Sequence, residues 1–115
     1  MTLELSDLDT IKSNALKAFE QRVGRAGTDA VQIEREVLRL ESQLEQLYSF
    51  TAALARRESD VAQTAELWEN FVRTCDSFAG RVFQLSQQHA LGTAAYDRIL
   101  DIRSAGEELR ALHTP

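Results

Sequence analysis

The sequence of 115 residues predicts an all-α fold, and three observations support this. Strong helix formers such as Ala, Leu, Glu and Arg dominate the composition, and the one proline is Pro115. Apolar residues recur at steps of three and four along the chain, which is the spacing of one face of an α-helix. Glycines or capping residues interrupt this spacing at three places. We therefore expect four helices in a single domain that covers residues 1–115.

The first helix is expected to begin at Ser6, because Ser6 and Asp9 have the spacing of a capping box. The apolar residues that follow lie on one face of this helix: Leu8, Ile11, Ala15, Phe19 and Val23. Gly24 and Gly27 then interrupt the pattern. Since glycine lowers helix stability, the first helix should end near these two residues.

Two long helices, about 28–57 and about 60–90, are expected next. Thr28 or Asp29 can cap the first, and Ser59 and Asp60 can cap the second, since their side chains accept hydrogen bonds from free backbone N–H groups. The apolar seam of the first long helix contains Ile33, Val37, Leu40, Leu44, Leu47, Thr51 and Leu54. The seam of the second contains Trp68, Phe71, Cys75, Phe78, Val82, Leu85 and His89. Seams of this spacing pack two helices at a shallow angle.

A reversal of the chain near Ser59 makes these two seams match. Leu47 then lies opposite Phe71, and Leu40 lies opposite Phe78. The match continues along both helices, whereas unrelated patterns would fall out of phase. The sequence therefore predicts an antiparallel helical hairpin over about 28–57 and 60–90.

The fourth helix is expected over about 94–112, after Gly92 as a C′ glycine and Thr93 as an N-cap. Because a Gly-Thr pair occurs at both breaks that flank the hairpin, we expect the shorter outer helices to fold back and complete a four-helix bundle. The alternative is a long two-helix hairpin that dimerises, since the apolar spacing continues through the glycines.

The outer helices are expected to be shorter than the hairpin arms and to reach only about residue 46 on one arm and about residue 72 on the other. The hairpin tip beyond them would then expose a cluster of aromatic and aliphatic side chains, which is typical of protein interfaces. The predicted contact residues are Tyr48, Phe50, Leu54, Leu67, Trp68 and Phe71. The competing interpretation is that these residues belong to the ordinary core of the bundle.

The charge of the chain limits its partners. The formal net charge is −5, which argues against binding to nucleic acids and to anionic membranes. No apolar run approaches the ~18 residues that span a bilayer. The N-terminal sequence MTLELSDLD lacks the basic start and apolar middle of a secretion signal. We therefore expect a cytoplasmic protein whose partner is a second copy, most simply in a dimer, or another protein.

Motifs for catalysis, metal binding and cofactor binding are not found in the sequence. The glycines do not form a phosphate-binding loop. Cys75 lies on the apolar seam, where a thiol is expected to be inert. Neither His89 nor His113 has an acidic residue three positions before it, as metal sites in helical bundles require. We predict a non-enzymatic protein–protein interaction module, such as a small acidic adaptor, a chaperone-like protein or an assembly protein, without metal or cofactor.

Two other functions stay open. The small residues Ala26, Ala30 and Gly92 are expected at one level, and with His89 and Tyr96 they would leave a pocket for a small molecule. A ligand-binding or enzymatic bundle is therefore the first alternative. The acidic composition also suggests an inhibitor or decoy that mimics nucleic acid, although this function would need the acidic residues gathered on one face.

Overall fold

Four helices account for most of residues 5–113, the part of the chain that the computed structural model describes. They are α1 (Leu5–Ala26), α2 (Ala30–Arg57), α3 (Val61–His89) and α4 (Ala94–Leu112). The predicted all-α fold, with a central hairpin completed into a four-helix bundle, is confirmed. The alternative of a long two-helix hairpin is wrong, because the chain breaks between α1 and α2 and again between α3 and α4.

Aspartate side chains cap the two hairpin helices, each being one of the two neighbouring residues that the sequence offers as caps. The Asp29 carboxylate accepts hydrogen bonds from the backbone N–H groups of Val31, at 3.1 Å, and Gln32, at 3.3 Å. The Asp60 carboxylate accepts one from the N–H of Ala62, at 2.9 Å. Each bond satisfies a backbone donor that has no partner within its own helix. The two caps therefore fix where α2 and α3 begin.

The caps predicted for the outer helices are not formed. Ser6 lies inside α1, so the N-cap predicted at this residue is wrong. Thr93 is the N-cap residue of α4, but its side chain makes no capping bond. Its hydroxyl donates instead to the Asp97 carboxylate, at 3.3 Å. The start of α4 is therefore not fixed by a side-chain cap.

In the turn after α3, the residue in the left-handed conformation is not the one that the sequence predicts. Gly27 has a φ of 61° after α1, as a C′ glycine should, but after α3 this role falls to Ala90, with φ 54° and ψ 41°. The N–H of Leu91 donates to the carbonyl oxygen of Ser86 at 2.9 Å, which is the bond of a Schellman motif. The C′ position predicted at Gly92 is therefore wrong by two residues.

Replacing Ala90 with glycine is expected to raise the free energy of unfolding by about 1 kcal/mol, because alanine is strained in the left-handed region and glycine is not. The measurement is urea denaturation followed by circular dichroism. Ala53→Gly inside α2 is the matched control, and it should lower the free energy by about 0.5–1 kcal/mol. Equal losses in both variants would contradict the strain at residue 90.

The core lies along the seam between α2 and α3. All residues of the two predicted seams are buried except the last of each, and these two are half-buried. Near the hairpin tip, the ring of Tyr48 lies 5.2 Å from that of Trp68 and 5.6 Å from that of Phe71, measured between ring centroids. These contacts join α2 to α3 in the register that the sequence predicts.

The outer helices lie on opposite sides of the hairpin. Helix α1 packs mainly on α2 and α4 packs mainly on α3, and within the described part of the chain α1 and α4 do not contact each other. The bundle is consequently flat, with Cα dimensions of 47 × 29 × 15 Å. A flat bundle leaves grooves between each outer helix and the hairpin arm that it contacts less.

Arginine–carboxylate pairs tie each outer helix to both hairpin arms. Helix α1 pairs with α2 and α3, and α4 pairs with the same two helices. The four pairs are Arg22–Glu36, Arg81–Glu20, Arg98–Glu41 and Arg103–Asp76, with closest N–O distances between 2.5 and 2.9 Å. These pairs help to set the rotation of each outer helix about its own axis. They add little to the stability of the bundle, since partly exposed ion pairs contribute little.

The outer helices reach further toward the hairpin tip than the sequence predicts. Leu8 of α1 shares a cleft with Thr51 and Leu67, and Arg110 of α4 shares one with Ala62. The prediction that the tip is uncovered beyond residues 46 and 72 is therefore wrong. Both outer helices lie against residues of the tip, so their reach along the hairpin arms was underestimated.

Candidate interaction site

Half of the predicted contact residues are buried inside the bundle. Trp68 and Phe71 are each 2% exposed, and Leu67 is 9% exposed. The ring centroids of Trp68 and Phe71 are 5.8 Å apart with nearly perpendicular planes, an arrangement usual in protein cores. These three side chains pack inside the bundle, so core packing is the right interpretation for them.

The other predicted contact residues do not form one patch. Tyr48 and Leu54 are half-buried, and Phe50 is 38% exposed. Phe50 is fourteen residues from Glu36, so both side chains lie on nearly the same side of α2, the side that pairs with α1. Tyr48 instead lies beside α4. The six predicted residues are thus distributed over the core and two different sides of α2.

The groove beside Tyr48 is the main candidate for an interaction site. We call it the α2–α4 groove, and the residues that line it are Glu45, Tyr48, Ser49, Asp101, Ile102 and Ala105. Its floor is apolar and consists of Tyr48, Ile102 and Ala105, all half-buried. Its rims are the exposed carboxylates of Glu45 on α2 and Asp101 on α4. An apolar floor with charged rims is the usual composition of a protein-binding groove.

The close packing of α4 on α3 opens this groove. A Cβ atom at Gly106 would lie 2.6 Å from Cδ2 of Phe71, so only glycine allows α4 to approach α3 this closely. Because α4 is held against α3, its opposite side is covered less well by α2. The Arg98–Glu41 pair, at 2.9 Å, links α4 to α2 about one helical turn before Asp101 and Glu45.

Sequence reasoning missed Ile102 and Ala105. The signal was present, because Ile102, Ala105 and Leu109 follow each other at steps of three and four. This stripe lies beside the buried face that contains Ala95, Ile99 and Gly106. A second apolar stripe next to the first indicates a helix with two neighbours. Only one hairpin arm covers α4 fully, and the sequence does not specify which of the two apolar stripes remains exposed to solvent.

The charges at the groove rims are not compensated within the described chain. No ion pair joins Glu45 or Asp101 to another residue between positions 5 and 113. In contrast, Glu36, Glu41 and Asp76, which lie between helices, are each paired with an arginine. The groove therefore has an acidic side chain on each of its two rims.

A second groove lies between α1 and α3 and is less suited to binding. Leu47, Leu67 and Phe71 form its floor, and Asp9, Lys12 and Asn70 are at its rim. Two buried threonines lie in it, and their hydroxyls donate to backbone carbonyls of their own helices, Thr51 to Leu47 at 2.8 Å and Thr74 to Asn70 at 2.9 Å. Because its rim carries both signs of charge and its hydroxyls are already bonded, this groove presents few groups that select a partner.

Cys75 is buried on the hairpin seam, as predicted, and is 0% exposed. Burial raises the pKa of its thiol to about 12, and the neighbouring Asp76 carboxylate adds to the rise, whereas Arg103 opposes it. The nucleophilic form of cysteine is the thiolate. At neutral pH Cys75 is therefore protonated and shielded from solvent.

The raised pKa of Cys75 predicts that stability falls at high pH. Between pH 9, the ordinary value for a thiol, and about pH 12, the unfolded chain loses the thiol proton while the folded chain keeps it, so unfolding becomes more favourable. Urea denaturation at pH 8 and pH 10 should therefore show a smaller advantage of wild type over Cys75→Ala at the higher pH. A gap that does not change would contradict the burial of an intact thiol. As an independent check, the native chain should resist thiol reagents that react after denaturation.

The residues proposed for a small-molecule pocket are not brought together. Ala26 lines a cleft with Arg22 and Arg25, whereas Gly92 lines a different cleft beside Leu38. Tyr96 packs against Phe83 with ring centroids 5.6 Å apart. Within residues 5–113, no group of three or more His, Cys, Asp or Glu side chains is placed to hold a metal ion. The pocket expected from the small residues is therefore split between two surfaces.

Crossing a bilayer requires a long apolar helix, and none of the helices between residues 5 and 113 meets this requirement. Comparisons of the chain with protein-family models, with curated proteins and with solved structures found no match.

Proposed function

We propose that the chain is a cytoplasmic, non-enzymatic protein–protein interaction module that binds a helix in the α2–α4 groove. The module acts as an adaptor, a chaperone-like protein or an assembly protein. The observation that carries the proposal is the apolar floor formed by Tyr48, Ile102 and Ala105 between two helices. Of the six contact residues predicted from the sequence, Tyr48 is the one in this groove.

The groove has the shape that helix-in-groove recognition uses. An amphipathic helix places residues spaced i, i+3, i+4 and i+7 into an apolar channel between two helices. On α4, the groove residues Ile102 and Ala105 are followed by Leu109 and Leu112 at steps of four and three residues. Leu112, the last residue of α4, is 76% exposed. A bound helix would bury these side chains.

The walls of the groove are held before any partner binds. Helix α2 is fixed by the hairpin core and α4 by its close contact with α3 at Gly106. The Arg98–Glu41 pair then links the two walls directly. A preformed groove binds with a smaller loss of conformational entropy than a mobile surface does. The arrangement therefore supports a binding function without a large conformational change.

Photo-crosslinking tests this function. A photoreactive phenylalanine analogue is introduced at Ala105 in the groove or, as a control, at the exposed Gln87 on α3. We expect crosslinks to a defined peptide from Ala105 and not from Gln87. A synthetic copy of that peptide should bind the wild-type chain, and Ile102→Glu should abolish binding. Phe83→Glu is the matched control, since Phe83 is 45% exposed outside the groove.

The source of the crosslinked peptide separates the two forms of the proposal. A peptide from this same chain would indicate self-association through the groove, and a peptide from another protein would indicate an adaptor or a chaperone-like protein. Equal crosslinking from Ala105 and Gln87 would contradict a binding function for the groove. The same conclusion would follow if Ile102→Glu and Phe83→Glu bound the peptide equally well.

A further inference from the structure

We infer that the partner in the α2–α4 groove is a basic amphipathic helix of a different protein, with Lys or Arg residues on both sides of an apolar stripe. This inference rests on the proposed function and adds the charge and the source of the partner.

The first argument is the position of the unpaired carboxylates. Glu45 on α2 and Asp101 on α4 both line the groove, and neither has an ion-pair partner among residues 5–113. Both are exposed, so their charges stay in contact with water when the groove is empty. A helix that fills the groove would bring its own flanking residues against these two carboxylates. Basic residues at those positions would form charge-assisted hydrogen bonds.

The second argument is that the negative charge extends along both walls. On α2, Glu34, Glu41 and Glu45 are separated by seven and four residues and so lie on one side of the helix. On α4, Asp97 and Asp101 are four residues apart and also share a side. Among the residues that line the clefts between α2 and α4, Arg98 is the basic one, and its guanidinium group is already paired with Glu41.

The third argument concerns the source of the partner. In a two-fold symmetric dimer the same patch meets itself. Glu45 and Asp101 of one chain would then lie close to the same carboxylates of the second chain. Like charges at an interface that excludes water oppose association. The net charge of −5 adds a weaker repulsion between copies at longer range. A second copy is therefore a poor occupant of this groove, and a chain of opposite charge is a good one.

Binding to two labelled designed peptides tests the inference. The peptides have the same leucines at i, i+3, i+4 and i+7, and the residues that flank them are Lys in one and Glu in the other. Fluorescence anisotropy gives the Kd of each peptide for the chain at low and high salt. We expect the Lys peptide to bind, with an affinity that falls as salt rises, and the Glu peptide not to bind.

Two pairs of substitutions distinguish the groove from the overall charge. Glu45→Gln combined with Asp101→Asn removes two charges from the groove rims, and Asp9→Asn combined with Glu66→Gln removes two exposed carboxylates elsewhere. The first pair should weaken binding of the Lys peptide by about tenfold, as expected for the loss of two charged contacts, and the second by less than about twofold. Equal weakening by both pairs would overturn the inference, because only net charge would then matter.

The remaining outcomes separate this inference from the proposed function. If the Glu peptide binds as tightly as the Lys peptide, or if the Lys peptide does not bind, the inferred partner charge is wrong. The crosslinking at Ala105 does not depend on partner charge, so the binding function would still stand if those crosslinks form. Light scattering that shows a dimer in wild type and a monomer in Ile102→Glu would also overturn the inference while supporting the proposed function. If Ala105 and Gln87 crosslink equally, both the inferred partner and the proposed function are wrong.

Discussion

Replacing Trp68 with alanine is expected to lower the free energy of unfolding by about 3–5 kcal/mol, the usual cost of removing a large side chain from a core. Trp68 is 2% exposed, and its ring packs against those of Tyr48 and Phe71 at 5.2 and 5.8 Å. The alanine would leave a cavity that the rigid helices on both sides cannot fill. The measurement is urea denaturation followed by circular dichroism at 222 nm.

Phe50→Ala is the control for this prediction, because Phe50 belongs to the same group of predicted contact residues but is 38% exposed. It should lower the free energy of unfolding by only about 1 kcal/mol, in proportion to the smaller apolar area that it buries. Similar losses in the two variants would mean that Trp68 is not in the core. In that case the original prediction of an exposed aromatic tip would regain support.

The second large effect is expected at Gly106. Gly106→Val should lower the free energy of unfolding by about 2–3 kcal/mol, because overpacking a tight contact forces helices or side chains apart. The first added atom, Cβ, would lie 2.6 Å from Cδ2 and 3.0 Å from Cε2 of the buried Phe71 ring. The ring has little room to move, since Phe71 is 2% exposed. Denaturant titration gives the loss, and peptide binding to the α2–α4 groove should weaken in the same variant as α4 shifts.

Gly80→Val provides the matched control, since Gly80 also lies inside a long helix but is exposed. A Cβ atom at Gly80 would have no neighbour within 4 Å. Valine is a somewhat better helix former than glycine, so the free energy of unfolding should stay within about 0.5 kcal/mol of wild type. A loss at Gly80 as large as that at Gly106 would show that the effect comes from valine in a helix and not from the contact with Phe71.

The hairpin could be predicted from the sequence because its two partners are close in the chain and share one register. The seams that include Leu40 and Phe78 alternate at steps of three and four, and a short reversal leaves only one way to align them. Asp29 and Asp60 could be recognised as caps because capping depends on local geometry alone. The confirmed features are thus those that depend on few residues or on a single alignment.

The outer helices were harder to place because their positions depend on where each turn begins. Ala90 takes the left-handed conformation that Gly92 was expected to take, so the chain leaves α3 two residues earlier than predicted. Propensity favours glycine at such a position, but the Schellman bond from Leu91 to Ser86 is made without it. A small error in the predicted position of a turn displaces the whole helix that follows it.

The interaction site was predicted only in part, again because the outer helices were misplaced. Tyr48 was identified from its position beside the seam, but Trp68 and Phe71 were assigned to the surface because α1 and α4 were expected to stop short of them. Ile102 and Ala105 were missed because their exposure depends on whether α4 lies closer to α2 or to α3. Gly106 decides this through its contact with Phe71, and such a three-dimensional contact cannot be read from helical spacing.

The placement of α1 and α4 on opposite sides of the hairpin has a consequence for local opening. Within the described chain the two outer helices share no contact, so one can detach without breaking any interaction of the other. Detachment of α1 would expose Phe19 and Val23 but would leave the Arg98–Glu41 pair and the floor of the α2–α4 groove in place. Amide hydrogens in α1 would then exchange with solvent in molecules that still hold a bound helix.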